Sequence, residues 1–165
     1  MKIAVFSDSH GNFNNMLRAV EDFSPDCLVF LGDGYREAER LQAAFPRLPF
    51  HYVKGNCDFS PLPPESEIFE LGGVRFFIAH GHRYNVKISK ISFLNACHFS
   101  GANIGLYGHT HRALVETAED LTIMNPGSCG TGPFPTYGQI FIENGKFTCK
   151  IAQIPGENKI FPPLL

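Results

Sequence analysis

The sequence predicts a layered α/β domain, and three observations carry that prediction. Apolar, strand-like runs alternate with helical patterns over the first half of the chain, and strand pairs joined by tight turns dominate the second. The apolar runs also stop abruptly at small polar or ionisable residues, as in "IAVFSDSHGN", Ile3 to Asn12. At 165 residues, one domain spanning 1–165 is expected to bury a sizeable core. The pattern by itself leaves open whether the strands form one large sheet or two packed ones.

A first strand is expected at Lys2–Phe6. A helix follows over about 13–23, where Phe13, Met16, Leu17 and Val20 recur at helical spacing behind Asn12 as N-cap. "CLVFLGD" is a continuous apolar run, as in a strand covered on both faces. A second helix is expected at Tyr35–Phe45, halted by Pro46. "FHYVKGN" reads as a short third strand, and "EIFEL" and "VRFFIAH" flank Gly72-Gly73 as a hairpin. A third helix fits about Lys87–Phe99 with Ile88, Ile91 and Leu94 inward, followed by a strand in "ANIGLYG". Hairpins are then expected around Glu119-Asp120 and around Asn144-Gly145.

Bulk composition narrows the function classes. The net charge of -2 argues against a broad basic surface and a stable nucleic-acid complex. The start lacks the long apolar run and cleavage pattern of a signal peptide, and no stretch approaches the roughly 18 apolar residues of a membrane span. Five cysteines without CxxC spacing read as reduced thiols, so a cytoplasmic location is expected. Cys27, Cys97 and Cys149 read as small core fillers.

The chemistry lies in the strand ends. Asp8 and His10 end the first run, Asp33 the second, and Asn56, Cys57 and Asp58 the third. His80 and His82, then His109 and His111, then Asn125 and Ser128 end the later ones. Open α/β sheets bind ligands outside the carboxyl ends of their strands. In extended backbone i and i+2 share a side, so Asp8 with His10, and His109 with His111, are expected to point together. Glycines 32, 55, 81 and 108 allow tight turns or close approach there. Imidazole, carboxylate and amide donors without a required thiolate suit Zn, Mn, Fe or Ni. Seven candidate ligands are too many for one four-coordinate ion and fit two ions sharing a carboxylate.

The ordered set "DSH", "GD", "GNCD", "HGH", "GHTH" and "NPGS" resembles the calcineurin-like metallophosphoesterase superfamily, and most of all its small prokaryotic phosphodiesterase branch, to which a eukaryotic retromer subunit is related. The resemblance implies an αββα sandwich of two mixed sheets with helices outside. It also implies two divalent ions, Mn or Ni first and Fe/Zn mixtures next. Asp8, His10 and His111 would hold one ion; Asn56, His80 and His109 would hold the other, with Asp33 bridging. The implied reaction is hydrolysis of phosphodiesters, a small phosphate ester or nucleotide, by a hydroxide between the metals. A phosphomonoesterase or phosphoprotein phosphatase, or a non-enzymatic protein-binding scaffold, are the alternatives on this fold. Self-association is common among such proteins.

Most of the superfamily reads Gly-Asn-His where this chain has Cys57. A thiol of ordinary pKa about 8.5 supplies no imidazolium to the leaving group, so slower chemistry on poor leaving groups is expected. Asp58 reads either as a partner orienting a ligand histidine or as a loop cap. His82, its neighbour Arg83 and Asn12 are candidate phosphate contacts, and "PFPTY" around Phe134 a candidate pocket rim. His51 and His98 are given no ligand role.

Overall fold

Residues 1–156 are described in a computed structural model of the chain. Residues 157–165, the end of "PGENKIFPPLL", lie outside them, and with them the far end of the expected 1–165 domain. The chain begins with β1 (Lys2–Phe6), which pairs in parallel with β2 (Cys27–Phe30), as β2 does with β3 (Phe50–Tyr52). On the other side of β1 lies the antiparallel hairpin of β9 (Thr136–Glu143) and β10 (Lys146–Gln153), giving the order β10-β9-β1-β2-β3. The second sheet contains β4 (Ser66–Leu71), β5 (Val74–Ala79), β6 (Ile104–Leu106), β7 (Leu114–Ala118) and β8 (Leu121–Asn125) in the order β4-β5-β6-β8-β7. Here β5, β6 and β8 run parallel, flanked by antiparallel β4 and β7. Each sheet thus has three adjacent parallel strands.

Side-chain alternation builds the layers. Ile3 and Val5 of β1 pack with Val29, Phe76, Ile78, Leu106 and Met124 between the two sheets. Their neighbours Ala4 and Phe6 face the other way, onto Met16, Ala19 and Val20 of α1 (Phe13–Phe23) and Ala38 and Leu41 of α2 (Tyr35–Ala44). On the far side, Phe77, Ala79 and Ile123 pack against Phe93 and Cys97 of α3 (Ile91–Ser100). Two mixed sheets with helices outside is the α/β arrangement the motifs imply, and it resolves the choice between one sheet and two. Among the described residues no helix is long and apolar enough to cross a membrane.

Local rules explain most boundaries. Asn12 caps α1 by accepting a hydrogen bond from the Asn15 amide at 3.2 Å. The turns at Gly72-Gly73 and Asn144-Gly145 both carry two positive φ values, as a two-residue hairpin with right-handed strand twist requires.

The third helix differs from its expected form. It starts at Ile91, four residues later than expected, and the preceding segment forms a 3-10 turn at His82–Tyr84 and further turns. Ile88 and Ile91, expected inward, are 89% and 66% exposed, whereas Phe93 and Cys97 are buried. "ISFLNACHFS" is apolar around most of its circumference, so no stripe marks the inner face. Phe93→Ala is therefore expected to cost about 3–5 kcal/mol, and Ile88→Ala within about 0.5 kcal/mol of nothing, in urea unfolding. Equal costs would contradict the burial of Phe93 and the exposure of Ile88.

Candidate metal centre

The carboxyl ends of the parallel strands in both sheets deliver their polar residues to one place. Asp8 and His10 follow β1, Asp33 follows β2, and Asn56, Cys57 and Asp58 follow β3. From the second sheet come His80 and His82 after β5, His109 and His111 after β6, and Asn125 at the end of β8. The backbone at these ends is not extended. Asp8, His10, Asp33, His109 and His111 have φ between +42° and +66°, the left-handed region that side chains other than glycine seldom occupy. The i, i+2 argument for His109 and His111 is corrected accordingly, because these two imidazoles turn into different clusters.

One cluster is Asp8, His10 and His111, whose ligand atoms all lie within 4.8 Å of one another. The other is Asp33, His80 and His109, within the same limit. Asp33 also closes a third group with His10 and Cys57, so its carboxylate stands between the two sets of imidazoles. Asn56 joins the second cluster, its Oδ1 lying 3.2 Å from His80 Nε2. His82 stands beside it, its ring centroid 5.4 Å from that of His80 and 6.1 Å from that of His109.

Hydrogen bonds decide which atoms are left to face inward. His80 Nδ1 donates to the Leu31 carbonyl at 2.7 Å, which fixes the ring and leaves Nε2 aimed at Asp33 Oδ2, 3.4 Å away. Asp8 Oδ2 accepts from the Ser7 hydroxyl and from the His109 amide. Asp8 Oδ1 is buried without any hydrogen bond, and imidazole nitrogens of His111, His10 and His80 lie 3.1, 3.9 and 3.9 Å from it. A buried carboxylate oxygen left unpaired is costly. Converging oxygen and imidazole donors around it are a set that divalent cations satisfy, so the residues present fit metal ions.

Electrostatics points the same way. Burial would raise the Asp33 carboxyl, but the hydrogen bond and charge of His80, aided by the Cys57 amide, hold it below the usual carboxylate range. His80 is raised: burial opposes its charge, and Asp33 and Asp8 outweigh burial. Burial and the nearby His80 push His109 down to about 4, and push His82 down as well, so both imidazoles are neutral at neutral pH. Burial and then the Asp33 charge raise Cys57, which therefore faces the centre as a thiol.

From sequence, Asn125, Ser128 and Thr131 have no supporting role, whereas Asp58 has two readings. Of the two readings for Asp58, the hydrogen bonds select the loop cap. Its carboxylate accepts four backbone N–H bonds, from Asp33, Gly34, Tyr35 and Gly55 at 2.8–2.9 Å, and so clamps the turn carrying Asp33. Asp58 is thus a positioning residue and not a catalytic one. Asn125 donates to the Gly108 carbonyl and Thr110 hydroxyl, steadying the His109 turn. Ser128 donates to the Asp8 carbonyl at 2.7 Å and accepts from Thr131, whose hydroxyl lies 3.3 Å from His111 Nδ1. Most of these bonds link residues 15–120 positions apart, so the motifs mark the residues but not their partners. Arg83 is paired with Glu65, its Nε 2.8 Å from Oε2, and Asn12 is occupied by its cap.

A family model described as a calcineurin-like phosphoesterase superfamily domain matches residues 1–143. A phosphodiesterase of Methanocaldococcus jannaschii is 28% identical over 168 aligned positions, covering 89% of this chain and 96% of its own. The phosphodiesterase YfcE of Escherichia coli is 28% identical over 78% of this chain and 79% of its own. Among solved structures, a Streptococcus pneumoniae protein described as a predicted phosphoesterase superposes with a TM-score of 0.79 at 26% identity, covering 92% of this chain and 88% of that one. Vps29 of Entamoeba histolytica, solved with zinc, shares the fold at 18% identity and a TM-score of 0.73 over 94% of this chain and all of its own.

Proposed function

The chain belongs to the calcineurin-like phosphoesterase superfamily, and on that premise we propose that it hydrolyses phosphodiesters at a two-metal centre. The observation that carries the reading is the pair of donor clusters on either side of Asp33, with Asp8 Oδ1 buried and unpaired among imidazoles. Asp8, His10 and His111 would hold one divalent ion, and Asn56, His80 and His109 the other, with Asp33 shared. When bound, such ions polarise phosphoryl oxygens and lower the pKa of a water to about 7.

The chain's own residues set the rest. Asp33 contributes charge at the centre of the donor set, and Asp58 holds its backbone in place. His80 and His109 present ring nitrogens to the same side as Asp33, and the neutral His82 beside them is a hydrogen-bonding group for a phosphate oxygen. Cys57 faces the site as a thiol, so the departing oxygen receives no proton from an imidazolium at this position. The same proposal includes Mn or Ni as the working metals, a small phosphodiester or nucleotide as substrate, self-association and a cytoplasmic setting.

The test is hydrolysis of bis(p-nitrophenyl) phosphate and of p-nitrophenyl phosphate by one remetallated sample, with elemental analysis alongside. Turnover that requires metal and favours the diester is expected; faster turnover of the monoester would overturn the diester assignment. Cys57→His is further expected to raise the rate on a diester with a poorly activated leaving group about tenfold or more, at equal metal content. An unchanged rate would remove position 57 from leaving-group chemistry.

A further inference from the structure

A cleft of about 540 Å³ opens beside the centre, with His10, Asp33 and Cys57 at its inner end. Its volume falls in the range of about 300–1,000 Å³ that encloses single small ligands. Its outer walls are Tyr35, Arg36, Glu37, Glu39, Phe59 and Ser60. We propose that this cleft seats one ester group of the phosphodiester and that the group is an uncharged aromatic ring system, a nucleoside or an aryl group, stacked on Phe59. The inference rests on the phosphodiesterase reading and names its substrate class.

Phe59 carries the argument. Its side chain is 96% exposed, the most exposed large apolar residue of the described chain, so its ring contributes almost nothing to the folded core. It nonetheless lines a cleft that leads to the ligand clusters, and the ring of Tyr35 lines the same cleft. Aromatic rings exposed in this way are what flat heterocycles stack on. Phe134, the sequence candidate for a rim, is also exposed but does not line this cleft.

The charges choose between kinds of ester group. Arg36 is one cation against two carboxylates, Glu37 and Glu39, on the outer walls. The Asp58 carboxylate at the base is taken up by backbone N–H groups. The Tyr35 hydroxyl donates to Glu39 at 2.7 Å, and the Ser9 hydroxyl donates to Glu37 at 3.3 Å. A second phosphate would enter a wall of net negative charge. An uncharged ring with amino or hydroxyl donors meets carboxylate acceptors instead. The cleft therefore favours a nucleoside or aryl ester over a nucleoside polyphosphate.

Because the Phe59 ring is exposed, its removal spares the fold. Phe59→Ala is expected to raise KM for bis(p-nitrophenyl) phosphate about tenfold with kcat retained, and Phe59→Trp to restore it. Adenosine is expected to inhibit competitively, and ribose at the same concentration not to inhibit. Unchanged KM in Phe59→Ala overturns the inference while leaving phosphodiester hydrolysis intact. A second readout needs no turnover: millimolar adenosine should shift the ring resonances of Phe59 and Tyr35 in the wild-type protein. Shifts without any hydrolysis would uphold the aromatic site and refute the phosphodiesterase reading; their absence would refute the site.

Discussion

Asp33→Ala is expected to abolish metal-dependent turnover, by at least about a thousandfold, which is about 4 kcal/mol of transition-state stabilisation. The size of the effect follows from position. The Asp33 carboxylate is the member common to the group with His80 and His109 and the group with His10 and Cys57, so its removal weakens both sides at once. The fold is expected to survive. Asp58 holds the Asp33 backbone amide rather than its side chain. The groups that lose a partner when the carboxylate goes are the Cys57 amide and the His80 ring, which keeps its bond to the Leu31 carbonyl. Removing one of two buried carboxylates also relieves repulsion with Asp8. Native circular dichroism together with metal content reduced by one ion or more is therefore the accompanying result. A variant that binds its full complement of metal yet is inactive would make Asp33 a reacting group and not a bridge.

Gly55→Ala is expected to damage the centre nearly as much, although it deletes no functional group. A Cβ at position 55 would stand 2.0 Å from Asp33 Oδ1 and 2.5 Å from the Asp33 amide nitrogen. Neither can yield cheaply. The amide is bonded to Asp58, and the same Asp58 oxygen accepts from Gly55 itself. The added methyl would separate the β2 and β3 loops, and Asp33 would leave its place between the imidazoles. Turnover is expected to fall about a hundredfold or more, and stability by about 1–3 kcal/mol for the overpacking. Ser60→Ala, on the neighbouring loop, serves as a fold control in urea unfolding. A fully active Gly55→Ala would show that the approach of these two loops is not needed for Asp33 to act.

How much of this was legible in the sequence depends on the range of the interaction involved. α1 was readable because its cap and its apolar stripe lie within one stretch, Asn12 to Phe23. The hairpins at Gly72-Gly73 and Asn144-Gly145 were readable because two-residue turns need positive φ at both positions. The direction of α3 was not, since apolar residues surround it and the choice of Phe93 over Ile91 is made by Phe77 and Tyr107, far away in sequence. The site residues were legible as polar ends of apolar strands. Their geometry was not, because five of them adopt left-handed backbone held by contacts such as Ser128 to Asp8 across 120 residues. Phe59 was hidden for another reason: in "FSPLPPES" an aromatic residue in a loop has no pattern to stand out from.

The most direct test of the two-metal centre is a crystal structure of the manganese-loaded protein, with ions located by anomalous scattering. The account predicts two peaks about 3.5–4 Å apart, one against Asp8, His10 and His111 and one against Asn56, His80 and His109, with Asp33 touching both. A single peak, or a second ion held without Asp33, would contradict it.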